Sequence, residues 1–305
     1  MNVLSLFDGM SCGQIALKEL GIVSEKYYAS EIDKHAIKQT QLNFPDTIQL
    51  GDVTKWKEWK IYWGSINLLL AGSPCQGFSF AGKQLAFNDP RSKLFFVFVD
   101  ILNHIKKFNP NVLFLLENVK MKKSHMRIIS EYCGVFPVNI NSNLVSAQNR
   151  DRWYWTNIRT KQIGLFGEIH TDIPQPEDKG IFLRDILESE VDEKYYINGP
   201  MLNWIQSEWR LAKKYTQING EKALPALARQ YANWGGDYVC VASQNNLLST
   251  KNERIRRLSP VECSRLQTVP SWYRWKCSDT QIYKMLGNGW TVEVIKHILK
   301  YLPWK

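Results

Sequence analysis

Two apolar runs constrain this chain more than anything else in it. "INLLLAG" (66–72) and "NVLFLLENV" (111–119) are continuously hydrophobic rather than alternating, the pattern of strands covered on both faces. Between them stands "SKLFFVFVDILNHIKKF" (92–108), which reads as a crossover helix. The same rhythm precedes them. "NVLSLF" (2–7) reads as a strand and "SCGQIALKEL" (11–20) as a helix, with Gly21 where a left-handed cap is wanted. "YYAS" (27–30) and "TIQLG" (47–51) are further strands, and Asp33 caps a helix between them that Pro45 ends. "SHMRIISEYCG", "FPVNINSN" and "RWYWTNI" (152–158) extend the pattern. The expected class is α/β, with a mostly parallel, doubly wound sheet.

Beyond residue 158 the alternation is lost. Residues 159–252 are rich in turns ("DIPQPEDKG", "INGP", "NWGGD") and read as a smaller lobe. Regularity returns in "RRLSPVECSRLQ" (256–267), where Ser259 and Glu262 have capping-box spacing. "GNGWTVEVIKHILKYL" (287–302) then places Val292, Ile295, Ile298, Leu299 and Leu302 on one helical stripe. The expected organisation is a main domain over 1–158, a lobe over 159–252 and a segment, 253–305, that returns to the main domain.

In an open parallel sheet, ligands bind outside the carboxyl ends of the strands. The five expected strand ends carry "FDGMSCG" (7–13), Glu31, Asp52, Pro74-Cys75 and Glu117-Asn118. The glycines of the first let a ligand approach backbone near a helix N-terminus. Glu31, about 20 residues on, stands where a carboxylate would bind ribose hydroxyls, and Asp52 where one would accept from a base's amine. Together these suit an adenosyl group, although each alone reads equally well as turn chemistry. No lysine-bearing phosphate loop is present, which disfavours a triphosphate. Cys75, stiffened by Pro74, is a candidate nucleophile. Glu117 follows "VLFLL", so burial is expected and with it a partner or a shared proton.

The formal charge of +10 points to a polyanionic partner. "QNRDRWYW" (148–155) adds Arg150 and Arg152, two apart on a strand and therefore on one face, followed by aromatics. The six cysteines show no zinc or disulfide spacing, which fits a reducing cytoplasm without a metal. No signal peptide or membrane span is expected.

With Pro-Cys, Glu-Asn-Val and Arg-x-Arg in this order, the chain resembles the DNA (cytosine-5) methyltransferases of prokaryotes and phages. That resemblance implies a Rossmann-like, S-adenosylmethionine-dependent methyltransferase fold with a smaller target-recognition lobe at 159–252. It assigns Phe7, Asp8, Gly9, Met10, Ser11, Glu31, Ile32, Asp52, Val53, Gly72, Pro74, Leu94, Asn288 and Trp290 to the cofactor. Cys75, Glu117, Arg150 and Arg152 fall to catalysis on a flipped cytosine of duplex DNA, with Gln76–Gln84 as a closing loop hinged at Gly77 and Gly82. "RRLSPVECSRLQTVP" (256–270) resembles the family's late helical block.

Three departures stand out. Ser73-Pro74-Cys75 replaces the usual Pro-Pro-Cys and is similar to the animal de novo enzymes. Gly289-Trp290 replaces a serine and a small aliphatic. Ser11-Cys12 replaces a glycine pair, which implies a stiffer loop. Competing readings are an RNA cytosine-5 methyltransferase, disfavoured by "WYWTNI" after the arginine block, a catalytically silent DNA-binding homologue, and a small-molecule methyltransferase. The recognition sequence, the oligomeric state and the setting (host modification, partnership with a cognate restriction endonuclease, or phage protection) are not encoded legibly.

Overall fold

The computed structural model describes residues 1–73, 93–164, 167–232, 235–242 and 253–303. Contacts divide it into two units, Met1–Asn141 with Asp151–Pro176 and Val294–Lys305, and Ser142–Arg150 with Glu177–Glu293.

The first unit opens with β1 (Asn2–Leu6), α1 (Cys12–Glu19), β2 (Lys26–Ser30), α2 (Lys34–Asn43), β3 (Ile48–Gln49) and β4 (Ile66–Gly72). It continues through α3 (Lys93–Phe108), β5 (Leu113–Val119), α4 (Lys123–Cys133), β6 (Val138–Asn141), β7 (Asp151–Thr156) and a hairpin of β8 (Thr160–Ile163) and β9 (Glu168–Thr171). Among the described residues the large sheet has the order β3-β2-β1-β4-β5-β7-β6. The first five strands are parallel, whereas β7 runs antiparallel to both β5 and β6. Strand order reverses at the β1/β4 pair, so the crevice for a ligand lies outside the carboxyl ends of those two strands.

Local sequence accounts for these elements. All five residues of β1 are buried, as a strand sandwiched between helices requires. Asp33 caps α2 by accepting from the His35 amide at 2.9 Å, and Gly21 takes φ 68° after α1. The amphipathic α3 buries Phe95, Phe98, Ile101, Leu102 and Ile105. They pack in one cluster with Leu4, Leu6, Ile66, Leu69, Phe114, Leu116 and Trp155 of the sheet.

The second unit holds α5 (Pro200–Ile205), α6 (Glu208–Ala212), β10 (Thr216–Ile218), β11 (Gly236–Ala242), β12 (Glu253–Arg257), α7 (Pro260–Leu266) and α8 (Asp279–Asn288). Strands β10, β11 and β12 form a small sheet over a core of Ile197, Ile205, Tyr238 and Ile255. The capping box at α7 is present, Ser259 and Glu262 exchanging amide bonds. Glu262 also receives both guanidinium nitrogens of Arg256 at 2.8 Å, both side chains being almost fully buried. The last helix, α9 (Val292–Leu299), crosses from this unit into the first.

The division departs from the boundaries expected at 158 and 252. The first unit retains the β8–β9 hairpin up to Pro176, and the second takes 142–150 and 253–293. The physical reason for the latter is pairing. β12 adds to β11, and Glu262 accepts from the Glu188 amide at 2.9 Å, so residues 253–293 are built into the lobe's own sheet and loops.

Candidate active site

The loop after β1 is shaped by three left-handed residues, Phe7 (φ 58°), Gly9 (φ 58°) and Ser11 (φ 65°). Ser11, though not a glycine, adopts the left-handed conformation that glycine favours. Around Gly9 no atom lies within 4 Å of where a Cβ would stand, so its backbone is open to close approach. The Gly9 amide donates to Glu31 Oε2 at 2.8 Å, and Glu31 Oε1 accepts from the amides of Ile32 and Asp33, both at 2.8 Å. One carboxylate thus ties the loop after β1 to the turn after β2. Beside it Ile32 is 73% exposed, an apolar side chain turned out of the fold. Met10 and Val53 are buried, and Phe7 packs on the core.

Asp8 lies beneath this loop. Tyr27 donates its hydroxyl to Asp8 Oδ1 at 2.9 Å, while Oδ2 is closed to solvent without a hydrogen-bond partner. Burial pushes the Asp8 carboxyl up to about 6, against the hydroxyls of Ser5, Ser11 and Tyr27 and with a small addition from Glu31. Gln14 Nε2 donates to Ser11 Oγ (3.0 Å) and to Thr47 Oγ1 (2.8 Å), and Thr40 reaches the Gly9 carbonyl at 3.3 Å. Sequence reasoning missed these supports. The available signal was polar residues inside otherwise apolar helices and strands, Tyr27 and Gln14 among them. Asp52 is exposed, and Thr54, through its amide and hydroxyl, holds its carboxyl below the ordinary range. Both bonds fall on Oδ1.

At the crevice's other side Gly72, the last residue of β4, stands in register with Glu117 of β5. Asn118 Nδ2 donates to Ser73 Oγ at 3.1 Å, both residues being buried. This second missed contact fastens the chain at Ser73, just after β4. Pro74, Cys75 and Gln76–Gln84 lie outside the described residues. Glu117 Oε1 is 2.9 Å from Arg152 Nε, with side chains 12% and 15% exposed, so the burial expected from the apolar run is met by an ion pair. Arg152 also donates to its neighbour's carbonyl at Asp151.

Arg150 does not share that face. β7 begins at Asp151, so the two-residue periodicity does not extend to it. Its guanidinium, 5% exposed as a residue, donates to the carbonyls of Ala226 (3.1 Å), Gly287 (3.0 Å) and Gly289 (2.9 Å). Asn288 ends α8 and is exposed, and Trp290 is half-buried in the link to α9. These three belong to the second unit. Leu94, in the first turn of α3, is half-buried against the first unit's core.

The match to known proteins agrees with this geometry. Residues 1–304 match the family model of the C-5 cytosine-specific DNA methylases. The chain is 32% identical to the Type II methyltransferase M1.ScrFI of Lactococcus lactis subsp. cremoris over 97% of its length and 76% of the relative's. It is 30% identical to the Type II methyltransferase M.HpaII of Haemophilus parainfluenzae over 96% of its length and 86% of that protein's. The fold matches the crystal structure of the S. pombe Dnmt2 methyltransferase (TM-score 0.69, 19% identity, 98% of each chain). It also matches the Entamoeba histolytica methyltransferase EhMeth (TM-score 0.72, 17% identity, 99% and 97% of the two chains). The family match thus runs over residues 1–304, through the doubly wound sheet and the smaller unit alike, and the chain belongs to the C-5 cytosine-specific DNA methylases.

Proposed function

We propose that the chain transfers the methyl group of S-adenosylmethionine to C5 of a cytosine flipped out of a specific duplex DNA sequence, through an adduct between Cys75 and C6. The observation that carries this reading is the pairing of Gly72 with Glu117 at the carboxyl end of the sheet, with Ser73 held by Asn118. Cys75 follows Ser73 by two residues in the sequence, and Glu117 is paired with Arg152 at 2.9 Å.

The first unit's loops fit the cofactor. Open backbone at Gly9, the carboxylate of Glu31 and the exposed apolar side chain of Ile32 offer close approach, a ribose partner and a surface for adenine. Asp52 and Val53 would flank the base, and Phe7 to Ser11 the rest, with Gly72, Pro74, Leu94, Asn288 and Trp290 completing the set. When bound, S-adenosylmethionine supplies an electrophilic methyl on a sulfonium.

Unactivated C5 is a poor nucleophile. The Cys75 thiolate adds to C6, so that the electron pair of the 5,6 double bond becomes available at C5 for methyl transfer. Glu117 hydrogen-bonds N3 and the exocyclic amine, and supplies a proton as charge builds on the ring. Arg152 holds Glu117 in place and faces the same charge. The C5 proton passes to a water molecule, the thiolate departs with formation of the 5,6 double bond, and the proton on N3 returns to Glu117, leaving neutral 5-methylcytosine. A base stacked in duplex is out of reach, so it must be extruded. The β10–β12 lobe is the proposed target reader. The Type II names of the relatives favour a cytoplasmic modification enzyme partnered with a restriction endonuclease.

Cys75→Ser is expected to abolish tritiated methyl transfer to duplex DNA while leaving cofactor binding intact, and 5-fluorocytosine DNA to trap a covalent complex only with cofactor present. Normal turnover by the serine variant, or turnover on ordinary DNA without trapping, would overturn the mechanism.

A further inference from the structure

Away from the rim, the connection from β3 to β4 builds an aromatic ladder on the first unit. Trp59 stacks on Trp63 with centroids 6.4 Å apart and planes at 18°. Trp63 meets His104 of α3 edge-on at 4.9 Å, and His104 meets Phe108 at 5.1 Å. Trp56 lies buried beneath, edge-on to Trp63 (5.7 Å) and His104 (5.0 Å), and roots the ladder in the core.

Two large rings crown it in solvent, Tyr62 at 77% and Phe108 at 57% exposure. The display of Tyr62 is supported from its own turn. The Tyr62 ring rests on Gly64, where a Cβ would come within 3.2 Å of Cζ and the hydroxyl oxygen. Ser65 donates both its amide (3.0 Å) and its hydroxyl (2.7 Å) to the Tyr62 carbonyl. An exposed ring held in this way has less entropy left to lose on binding.

The surrounding charge is positive. Lys57, Lys60 and Lys107 are exposed, and Glu58 is the single carboxylate between Trp56 and Ser65. Lys57 stands 5.7 Å from the Trp56 ring centre. Burial and Lys107 hold His104 below its ordinary range, keeping the imidazole neutral within the stack.

The site is remote from the methylation crevice. Trp63–Ser65 runs straight into Ile66, the first residue of β4, and Phe108 ends α3. Both therefore lie at the amino end of the parallel sheet, about 20 Å of strand from the rim.

We propose that this face is a second nucleic-acid contact, taking unstacked bases of single-stranded DNA on Tyr62 and Phe108 and the adjoining phosphates on Lys57, Lys60 and Lys107. Exposed rings interleaved with cations are complementary to bases and phosphates together. Duplex DNA offers its phosphates but keeps its base faces stacked, so the rings select the single strand.

The test is fluorescence anisotropy of a labelled oligothymidylate of about 20 nucleotides, which has no cytosine and cannot be a methyl acceptor. The full chain is expected to bind it. Tyr62→Ala and Phe108→Ala are each expected to weaken binding about fivefold or more, and a Lys57→Ala/Lys60→Ala variant to flatten the salt dependence by about 1.4 in log–log slope. Methyl transfer to duplex DNA should be unchanged in all three. Failure of the wild-type chain to bind, unchanged affinity in folded Tyr62→Ala, or displacement by unlabelled duplex as effective as by unlabelled oligothymidylate would each overturn the proposal. Because the readout is not methyl transfer, it stands or falls separately from the chemistry proposed for Cys75.

Discussion

Arg152 and Glu117 approach to 2.9 Å across the β5–β7 pair, from positions two residues out of register, since Arg152 stands opposite Val119. The antiparallel insertion of β7 creates this diagonal: it brings the arginine back to the carboxyl end of β5, where a parallel strand would have carried it away. A carboxylate and a guanidinium so nearly buried depend on each other, because removal of either leaves the other uncompensated. Glu117→Gln is expected to lower the rate of methyl transfer at least a hundredfold, with cofactor affinity changed less than threefold. Tritium transfer and equilibrium binding check the two halves, and an equal loss in both would place Glu117 in the cofactor pocket instead.

Arg150 and Arg152 stand two residues apart but differ in what their guanidinium groups touch. Three backbone carbonyls receive Arg150, so Arg150→Ala strands three acceptors and should destabilise the fold by about 3 kcal/mol. Arg150→Lys should recover little of this, because one ammonium cannot reproduce the planar fork. Arg152→Lys, which keeps a cation beside Glu117, is expected to leave the denaturation midpoint nearly unchanged while abolishing most turnover. Chemical denaturation beside a turnover assay separates the two, and matching profiles for both variants would refute the division.

What was legible in the chain follows from this contrast. Buried parallel strands announce themselves as unbroken apolar runs, so β4, β5 and the helix between them were readable to within two residues. Helix caps are local chemistry, which is why Asp33 and the Ser259/Glu262 box could be placed. Arg150 was misread because period-two logic holds only inside a strand, and no sequence signal marks the strand's first residue. The supports of the cofactor loop, Tyr27, Gln14 and Thr47, come from three separate segments and converge only through the fold. The departure of 253–293 from the expected boundaries has the same origin, a strand pairing with a partner distant along the chain.

Asp8 gives the protein a predictable response to pH. Its folded value of about 6 lies above the ordinary 3.8. Between those values the folded state keeps a proton that the unfolded chain has released, so its contribution is full below about pH 4 and is lost as pH rises through about 6. The shift corresponds to on the order of 3 kcal/mol. Asp8→Asn preserves an oxygen for the Tyr27 hydroxyl and removes the buried charge. It should be more stable than the wild type near pH 7.5 and indistinguishable near pH 4. Urea denaturation at both values checks this, and a difference independent of pH would refute the assignment.

Gly9 and Gly13 flank the same loop yet resist a methyl group for opposite reasons. At Gly9 there is room but the wrong backbone, φ 58° with nothing within 4 Å, so Gly9→Ala costs about 1 kcal/mol of conformational strain. The added methyl would also stand on the open side where close approach to the backbone is needed. Gly13 lacks room: a Cβ would meet Leu70 Cδ1 at 2.6 Å and the Tyr27 hydroxyl oxygen at 2.8 Å. Gly13→Ala must displace the Tyr27 ring or spread α1 from the sheet, at about 1–3 kcal/mol, and it loosens the bond to Asp8. Thermal melting with and without S-adenosylmethionine discriminates the two. Gly9→Ala should lose mainly the ligand-induced rise in Tm, and Gly13→Ala should melt lower even without ligand. Equal melting of the two unliganded variants would show that the Leu70–Tyr27 wall yields more readily than its packing implies.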